Sequence, residues 1–303
     1  MASPCSALPL RARRGATVLL TLVAALAAPA ADAHRCGSTN HTAIVGDVFR
    51  MSIYADVFES QPSDYTVTNL GDPNVARIAT PLSFSSKGWG RWGLVATGVG
   101  QTTIRFNWAY MPNGAADFCD LVIDVFQIPG EVRQATRANY EKALEIFDPI
   151  VAPTGEYVLE EEAELDLAGP FPIELEFFYG SAMLATSLFE SRVGNNWMHG
   201  YDLVGMHDTT ASKYYVQFRE GRMLRFAKSG MTWVLEEPLD IPFQLVESGA
   251  DFVLFDPRDH LQYTFDAGGK LTQVADGRGN THSLTYDDII LTQIADNFGR
   301  TLD

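Results

Sequence analysis

A near-repeat with a period of 20 residues constrains the fold more than any other feature of this chain. Leu271–Asp276 (LTQVAD) returns as Leu291–Asp296 (LTQIAD), and Asp256-Pro257-Arg258 precedes Asp276-Gly277-Arg278 by the same interval. Each unit supplies two strands and turns that are rich in Gly, Asp and Asn. Because two strands cannot bury their own apolar face, neighbouring units must stack on one another. The sequence therefore predicts a sheet built from repeated hairpins.

Alternating segments extend the β prediction upstream of the repeat. Pro172–Tyr179 alternates apolar and acidic residues, which is typical of a half-buried strand. Lys213–Arg219 and Arg222–Phe226 flank a Glu-Gly turn signal and are predicted to form a hairpin. Phe252–Phe255 and Gln262–Phe265 repeat that arrangement.

The first half of the chain also reads as short strands. Val48–Tyr54, Thr103–Trp108 and Leu121–Phe126 are separated by turn signals, so residues 34–128 are predicted to form a β-sandwich. Residues 129–150 differ, because apolar residues recur on one side of a possible helix over 131–147, where no Pro or Gly interrupts it. We interpret them as a helical linker within an otherwise all-β protein.

Residues 1–33 have the pattern of a secretory signal peptide. Arginines precede an apolar run over Ala16–Ala28, and Ala31-Asp32-Ala33 offers a cleavage site. The run is too short to favour a stable membrane span, and cleavage would remove it. We expect a secreted or cell-surface protein, and an uncleaved anchor is the alternative.

Two cysteines, Cys36 and Cys119, remain after the predicted cleavage. An even number of cysteines in an exported protein predicts a disulfide between them. The alternative, a catalytic thiol, finds no nearby histidine and no Cys-x-x-Cys spacing.

The charge of the chain argues against one class of partner. The sequence carries 38 acidic and 22 basic side chains, for a formal net charge of −16. Phosphate backbones repel such a surface, so we expect no nucleic-acid partner.

The first half resembles the bacterial Ig-like domains of surface proteins. The residues that carry the resemblance are Tyr65–Thr68, Asp72–Ile78 and Leu94–Ile104, within residues 45–126. The resemblance implies a spacer or an adhesive module. The alternative function for the whole chain is therefore a cell-surface adhesin or carbohydrate-binding protein whose partner is a glycan or a protein. Its candidate contact aromatics, on a predicted loop that begins at Lys87, are Trp89, Trp92 and, further along, Trp108.

The second half, residues 148–303, resembles the Rhs/YD-repeat family. Tyr286-Asp287 matches the dipeptide that names the repeat, and upstream motifs follow in the family's order: Asp148–Ile150, Thr154–Tyr157, Gly169–Leu175, Phe178–Ser181 and Gly194–Asp202. The resemblance implies a shell-opening β domain over residues 151–250 and incomplete YD repeats over 251–303. Such proteins wind a β cage around a C-terminal toxin that is used in competition between bacteria. No toxin region is present here, so we expect a fragment or a truncated product.

Candidate chemistry is sparse, and we expect a non-enzymatic protein without a catalytic, cofactor or metal site. His199 lies between Trp197 and Tyr201-Asp202, where a structural role is favoured over catalysis. His207-Asp208 lacks a third ligand at metal spacing, and His260 and His282 are assigned to turns or the surface. The acidic residues between Glu156 and Asp166 lack a calcium-loop pattern and are interpreted as solvated.

Overall fold

The structure is a computed structural model in which residues 36–303 form one compact unit. It describes residues 40–54, 65–84, 89–109, 116–127, 150–151, 156–181, 183, 188, 193–237, 239 and 241–303. The predicted signal peptide, Cys36 and residues 129–149 of the predicted linker lie outside this part. The described chain is almost entirely β-strand, so the predicted all-β class is confirmed.

Seven strands of the first half form two sheets around a shared core. The strands are β1 (Asn40–Ile44), β2 (Val48–Tyr54), β3 (Tyr65–Asn69), β4 (Ala76–Phe84), β5 (Trp89–Ala96), β6 (Gly100–Ala109) and β7 (Ala116–Phe126). One sheet has the order β1-β7-β6-β3, in which β1 and β7 run parallel; the other, which we call the three-stranded sheet, has the order β2-β5-β4. Phe49, Leu94, Ile104, Phe106 and Ile123 are buried between them.

The predicted loop over Lys87–Trp92 is wrong from Trp89 onward, because Trp89 begins strand β5. Trp92 is only 5% exposed and stacks on Phe106, with ring centroids 5.7 Å apart. It fills the core and cannot present its ring to a glycan at the surface. The side chains of Trp89 and Trp108 lie outside the described part.

The second half forms three further sheets. The first has the order β11-β10-β9-β8, the second β12-β13-β14-β15 and the third runs from β16 to β22 in sequence order. We call the second the middle sheet and the third the repeat sheet. The strands are β8 (Ile150–Val151), β9 (Glu156–Leu167), β10 (Ile173–Gly180), β11 (Trp197–His199), β12 (Val204–Asp208), β13 (Lys213–Gln217), β14 (Met223–Ser229), β15 (Thr232–Glu237), β16 (Gln244–Ser248), β17 (Asp251–Asp256), β18 (Leu261–Phe265), β19 (Leu271–Ala275), β20 (Thr281–Asp287), β21 (Ile290–Asp296) and β22 (Thr301–Leu302).

The middle sheet is buried on both faces. One face contributes Tyr214, Val216 and Phe226 to the core shared with the repeat sheet. The other face places Met206 and Tyr215 against Val48, Ala79 and Val95 of the three-stranded sheet. This burial on two faces explains why β13 reads KYYVQ, with four consecutive buried residues, instead of alternating.

Arginine side chains join the three-stranded sheet to the middle sheet. Arg77 on β4 forms a two-pronged ion pair with Asp208 on β12, and its Nη1 lies 3.0 Å from Asp208 Oδ1. Arg225 on β14 donates from Nη2 to the carbonyl oxygen of Gly46, in the turn that leads into β2, at 2.7 Å. Because Asp208 is fully buried, its charge depends on Arg77 for compensation.

The repeat sheet explains the 20-residue period of the sequence. Consecutive strands pair antiparallel, so one unit of two strands and two turns returns the chain to the same end of the sheet. Asp256, Asp276 and Asp296 therefore all lie at that end, where each begins a turn. In every case Asp Oδ1 accepts the backbone N–H two residues ahead: Arg258 at 3.0 Å, Arg278 at 2.7 Å and Phe298 at 2.9 Å.

One turn of the repeat sheet docks directly on the middle sheet. Gly205 on β12 donates its backbone N–H to the carbonyl oxygen of Gly269 at 2.8 Å. Gly269 has φ 83°, and an added Cβ would lie 1.9 Å from the carbonyl oxygen of Gly205. Only glycine combines this backbone conformation with this close approach.

Candidate functional site

The predicted motif around His199 forms a tight turn beside the repeat sheet. Trp197 and His199 lie on β11, which pairs with β10 so that His199 is opposite Phe177. The chain then reverses, and Asp202 donates its N–H to the carbonyl oxygen of His199 at 2.9 Å. Trp197 packs against Tyr179, with ring centroids 5.2 Å apart.

Both ring nitrogens of His199 are used within this turn. Nδ1 accepts the backbone N–H of Tyr201 at 3.2 Å, so the ring hydrogen is on Nε2, which lies 3.1 Å from Asp202 Oδ1. Burial lowers the pKa of His199, and the nearby Asp202 carboxylate opposes that shift. These contacts hold a neutral imidazole in place and shape the backbone of the turn.

A second histidine, His282 on β20, connects the turn to the repeat sheet. Its Nε2 lies 3.3 Å from the carbonyl oxygen of Phe171, which can only accept, so Nε2 carries the hydrogen. Nδ1 is then an acceptor for the Tyr201 hydroxyl at 3.1 Å. The imidazole also stacks on the Phe171 ring, with centroids 4.0 Å apart. His282 is 2% exposed, so its assignment to a turn or the surface is wrong.

The same region encloses a small cavity of about 110 Å³. His199, Tyr201, Asp202 and Tyr286 all line it, together with Lys270, whose Nζ lies 5.7 Å from the centre of the Tyr286 ring. Burial raises the pKa of Tyr286. The fold thus brings together four of the six predicted motif residues, although His199 and Tyr286 are 87 residues apart in the sequence. Trp197 does not line the cavity, and Asp287 is exposed.

The contacts of His199, Tyr201 and His282 join the turn after β11 to the repeat sheet. Among the described residues that line the cavity, none is a serine, threonine or cysteine that His199 and Asp202 could activate. Within the described residues, no cluster of three or more His, Cys, Asp or Glu side chains could hold a metal ion. His207 packs among aromatic rings, with centroids 5.0 Å from Phe252 and 5.6 Å from Trp233.

The other predicted positions are distributed away from this junction. Cys119 lies on β7, half-buried against the core of the first two sheets, and Cys36 is outside the described residues, so their disulfide stays a prediction. His260 and Asp166 are exposed. The side chains of Glu160–Glu164 lie outside the described part. None of the helical segments that the structure describes has the length and hydropathy of a bilayer span.

Sequence reasoning missed the fastening of the β9–β10 loop onto the repeat sheet. Arg300 donates to the carbonyl oxygens of Leu167 at 2.7 Å, Ala168 and Phe171 at 3.0 Å. Asp296 Oδ2 lies 2.5 Å from the Nε of Arg300 and orients it. The burial of His282 could have been predicted from the sequence, because His282 and Leu284 share one face of the alternating strand β20.

Comparison with known families gives one match. Residues 147–226 match a family described as a domain of unknown function (DUF6531). The matched segment contains the His199 turn, the first two strands of the middle sheet and the first four residues of β14. No curated protein matches the chain.

Two buried histidines, His199 and His282, and the half-buried His207 predict a loss of stability in mild acid. Burial lowers the folded-state pKa of His199, His207 and His282 below the unfolded value of 6.5. The unfolded chain then binds more protons as the pH falls, so the free energy of unfolding decreases below about pH 6.5. Chemical denaturation at about pH 7.5 and about pH 5.5 measures this loss.

The contribution of His282 can be separated with a matched pair of variants. His282→Gln, which keeps a donor for Phe171 O, is expected to reduce the acid loss. His260→Asn changes an exposed histidine at φ 58°, a conformation that Asn tolerates, and should leave it unchanged. A wild-type stability that is flat or rises between these two pH values would contradict the prediction.

Proposed function

We propose that residues 148–303 are the opening section of the wall of a YD-repeat β shell. In this proposal the shell belongs to an exported protein, encloses a toxin carried by a C-terminal region outside this chain and acts in competition between bacteria. The protein itself contributes structure and no catalysis. The observation that carries the proposal is the recurrence of one turn, begun by Asp256, Asp276 and Asp296, at one end of a continuous antiparallel sheet.

The recurring turn supports a wall because it allows the sheet to grow by identical steps. Asp276 and Asp296 each cap a second backbone N–H four residues ahead, that of Asn280 at 3.1 Å and of Arg300 at 2.8 Å. Each unit therefore satisfies its own turn and leaves a strand whose backbone can pair with the next unit. A sheet of this kind buries one face and gains stability from each added neighbour.

The fastening of the β9–β10 loop supports continuity between the opening domain and the repeats. Arg300 and His282 hold the carbonyl oxygens of Leu167, Ala168 and Phe171 from two successive repeat units. The loop of the opening domain is thus hydrogen-bonded to the repeat sheet, as expected if the two belong to one continuous wall.

The test is the longer gene product. Reading the gene beyond the codon for Asp303 is expected to give further units of about 20 residues, each with an aspartate at the turn position. Electron microscopy of the purified extended protein is expected to show a hollow β-walled particle, and deletion of the gene should remove inhibition of neighbouring cells. An extended product without further repeats, or a solid particle, would refute the proposal.

A matched pair of substitutions sharpens this test. Asp276→Ala in the extended protein removes a repeat turn cap and is expected to make the enclosed region more sensitive to protease. Asp72→Ala removes the same kind of bond, from Asn74 N–H to Asp72 Oδ1 at 2.8 Å, in the first half of the chain. That control should leave protease protection of the enclosed region unchanged.

A further inference from the structure

The repeat sheet has a second face, which points away from the core. Residues on this face alternate with buried ones, as Val253 does between Phe252 and Leu254. Val246 on this face is 59% exposed, whereas the neighbouring Leu245 is 4% exposed. We call two rows of residues that pair across the strands the outer face: Val246, Val253, Thr264, Gln273, Ser283, Ala295 and Thr301 form the first row, and Gln244, Phe255, Gln262, Ala275 and Thr281 form the second.

The outer face is depleted of charge. Neither of its rows contains an acidic or basic side chain, although 20% of the residues of the chain are charged. Asp251 and Asp287 lie on the same side of the sheet, but they are the first residue of β17 and the last residue of β20. Depletion of charged residues is what distinguishes the core of a protein interface from the rest of a protein surface. The outer face therefore has the composition of a contact surface.

Side-chain size decreases from one end of the outer face to the other. Val246, Val253 and Phe255 lie on the first two strands of the sheet, and Ala295 and Thr301 lie on the last two. Facing surfaces pack best where large side chains meet small ones. A two-fold axis parallel to the strands and through the central strand, β19, would place β16 of one copy over β22 of another. The outer face is in this way complementary to itself.

We propose that the outer face binds a second copy of this chain about that two-fold axis. Gln273, on β19, is the residue of the first row at the axis, where the amide groups of the two copies can each donate to and accept from the other. Two copies with a net charge of −16 repel each other wherever their acidic side chains meet, and the outer face contributes none. The proposal goes beyond the wall function, because it requires neither the toxin nor further repeats.

The size of the outer face determines the affinity that we expect. The sheet has seven strands, and strands about 4.8 Å apart and about 17 Å long give a face of about 500 Å² per copy. Two such faces bury about 1,000 Å² in total, which is the lower limit for a specific interface. We therefore expect a reversible dimer with a Kd of about 1–100 µM, and not an obligate one.

The experiment is sedimentation-equilibrium ultracentrifugation of the purified chain, at concentrations from about 1 to about 300 µM. The average mass is expected to rise with concentration from that of a monomer towards that of a dimer. A chain that stays monomeric over the whole range leaves the outer face to a different partner and overturns the proposal.

Three variants connect the dimer to the outer face. Gln273→Lys and Gln273→Glu each place like charges together at the two-fold axis, so each is expected to raise the Kd about tenfold or more. An equimolar mixture of the two pairs opposite charges at the axis and should restore the dimer. Thr66→Lys makes the same change at an exposed position on β3 and should associate as the wild type does.

Thermal melting confirms that each of these variants is folded. A Gln273→Lys variant that dimerises like the wild type overturns the proposal, and so does a mixture of the two Gln273 variants that stays monomeric.

Discussion

Replacing Arg77 by alanine is expected to lower the free energy of unfolding by about 3–5 kcal/mol. The substitution leaves the Asp208 carboxylate fully buried without the guanidinium that contacts both of its oxygens. The remaining contact, from the Ala211 N–H at 3.1 Å, cannot compensate a full charge. Urea denaturation followed by tryptophan fluorescence measures the change.

The matched control is Arg105→Ala. Arg105 also donates to both oxygens of a carboxylate, from Nε to Asp120 Oδ1 at 2.6 Å and from Nη2 to Oδ2 at 2.7 Å. Both side chains, however, are about a third exposed. Solvent replaces such a partner readily, so the loss should be much smaller. The double variant Arg77→Leu with Asp208→Leu should be more stable than Arg77→Ala, since no orphaned charge remains. Equal losses for Arg77→Ala and Arg105→Ala would contradict the argument.

Gly269→Ala is expected to destabilise the protein by about 2–5 kcal/mol, the combined cost of a left-handed alanine and of overpacking. Its Cβ would lie 1.9 Å from the Gly205 carbonyl oxygen, a backbone atom that cannot rotate away. Relief requires the repeat turn and β12 to separate, which would break the Gly205 N–H bond to Gly269. Thermal and urea unfolding of the purified variant measure the effect.

Gly277→Ala separates the steric clash from the backbone strain. Gly277 lies in a repeat turn with φ 69°, but an added Cβ would meet nothing within 4 Å. It should cost only the conformational strain, about 1–2 kcal/mol. If the two alanine variants lose equal stability, the close approach of Gly269 to Gly205 is not the cause.

The sequence predicted the local structure of the hairpins well because one face of each strand had to be apolar. In the repeat sheet, Leu254, Tyr263 and Val274 are apolar partners on adjacent strands, and their alternation could be read directly. The period of 20 residues also predicted the stacking. Turn aspartates at that period, such as Asp276, were visible as a pattern, although their capping bonds were not.

The contacts between sheets could not be predicted, because they join residues far apart in sequence. Arg77 and Asp208 are 131 residues apart, and no local pattern selects one arginine over another. For the site, the sequence identified His199, Tyr201 and Asp202 as one motif, but not the partner His282, which comes from a different sheet. Trp92 was misplaced because the glycine-rich stretch that precedes it indicated a loop, whereas Gly90 and Trp92 both lie in strand β5.

The burial of the middle sheet on two sides has a consequence for how this chain can be divided. A fragment that begins at the DUF6531 match would uncover Met206 and Tyr215, and one that stops before it would uncover Val48, Ala79 and Val95. Dividing the chain at this boundary is therefore expected to give two fragments with exposed apolar surface, which aggregate instead of folding independently.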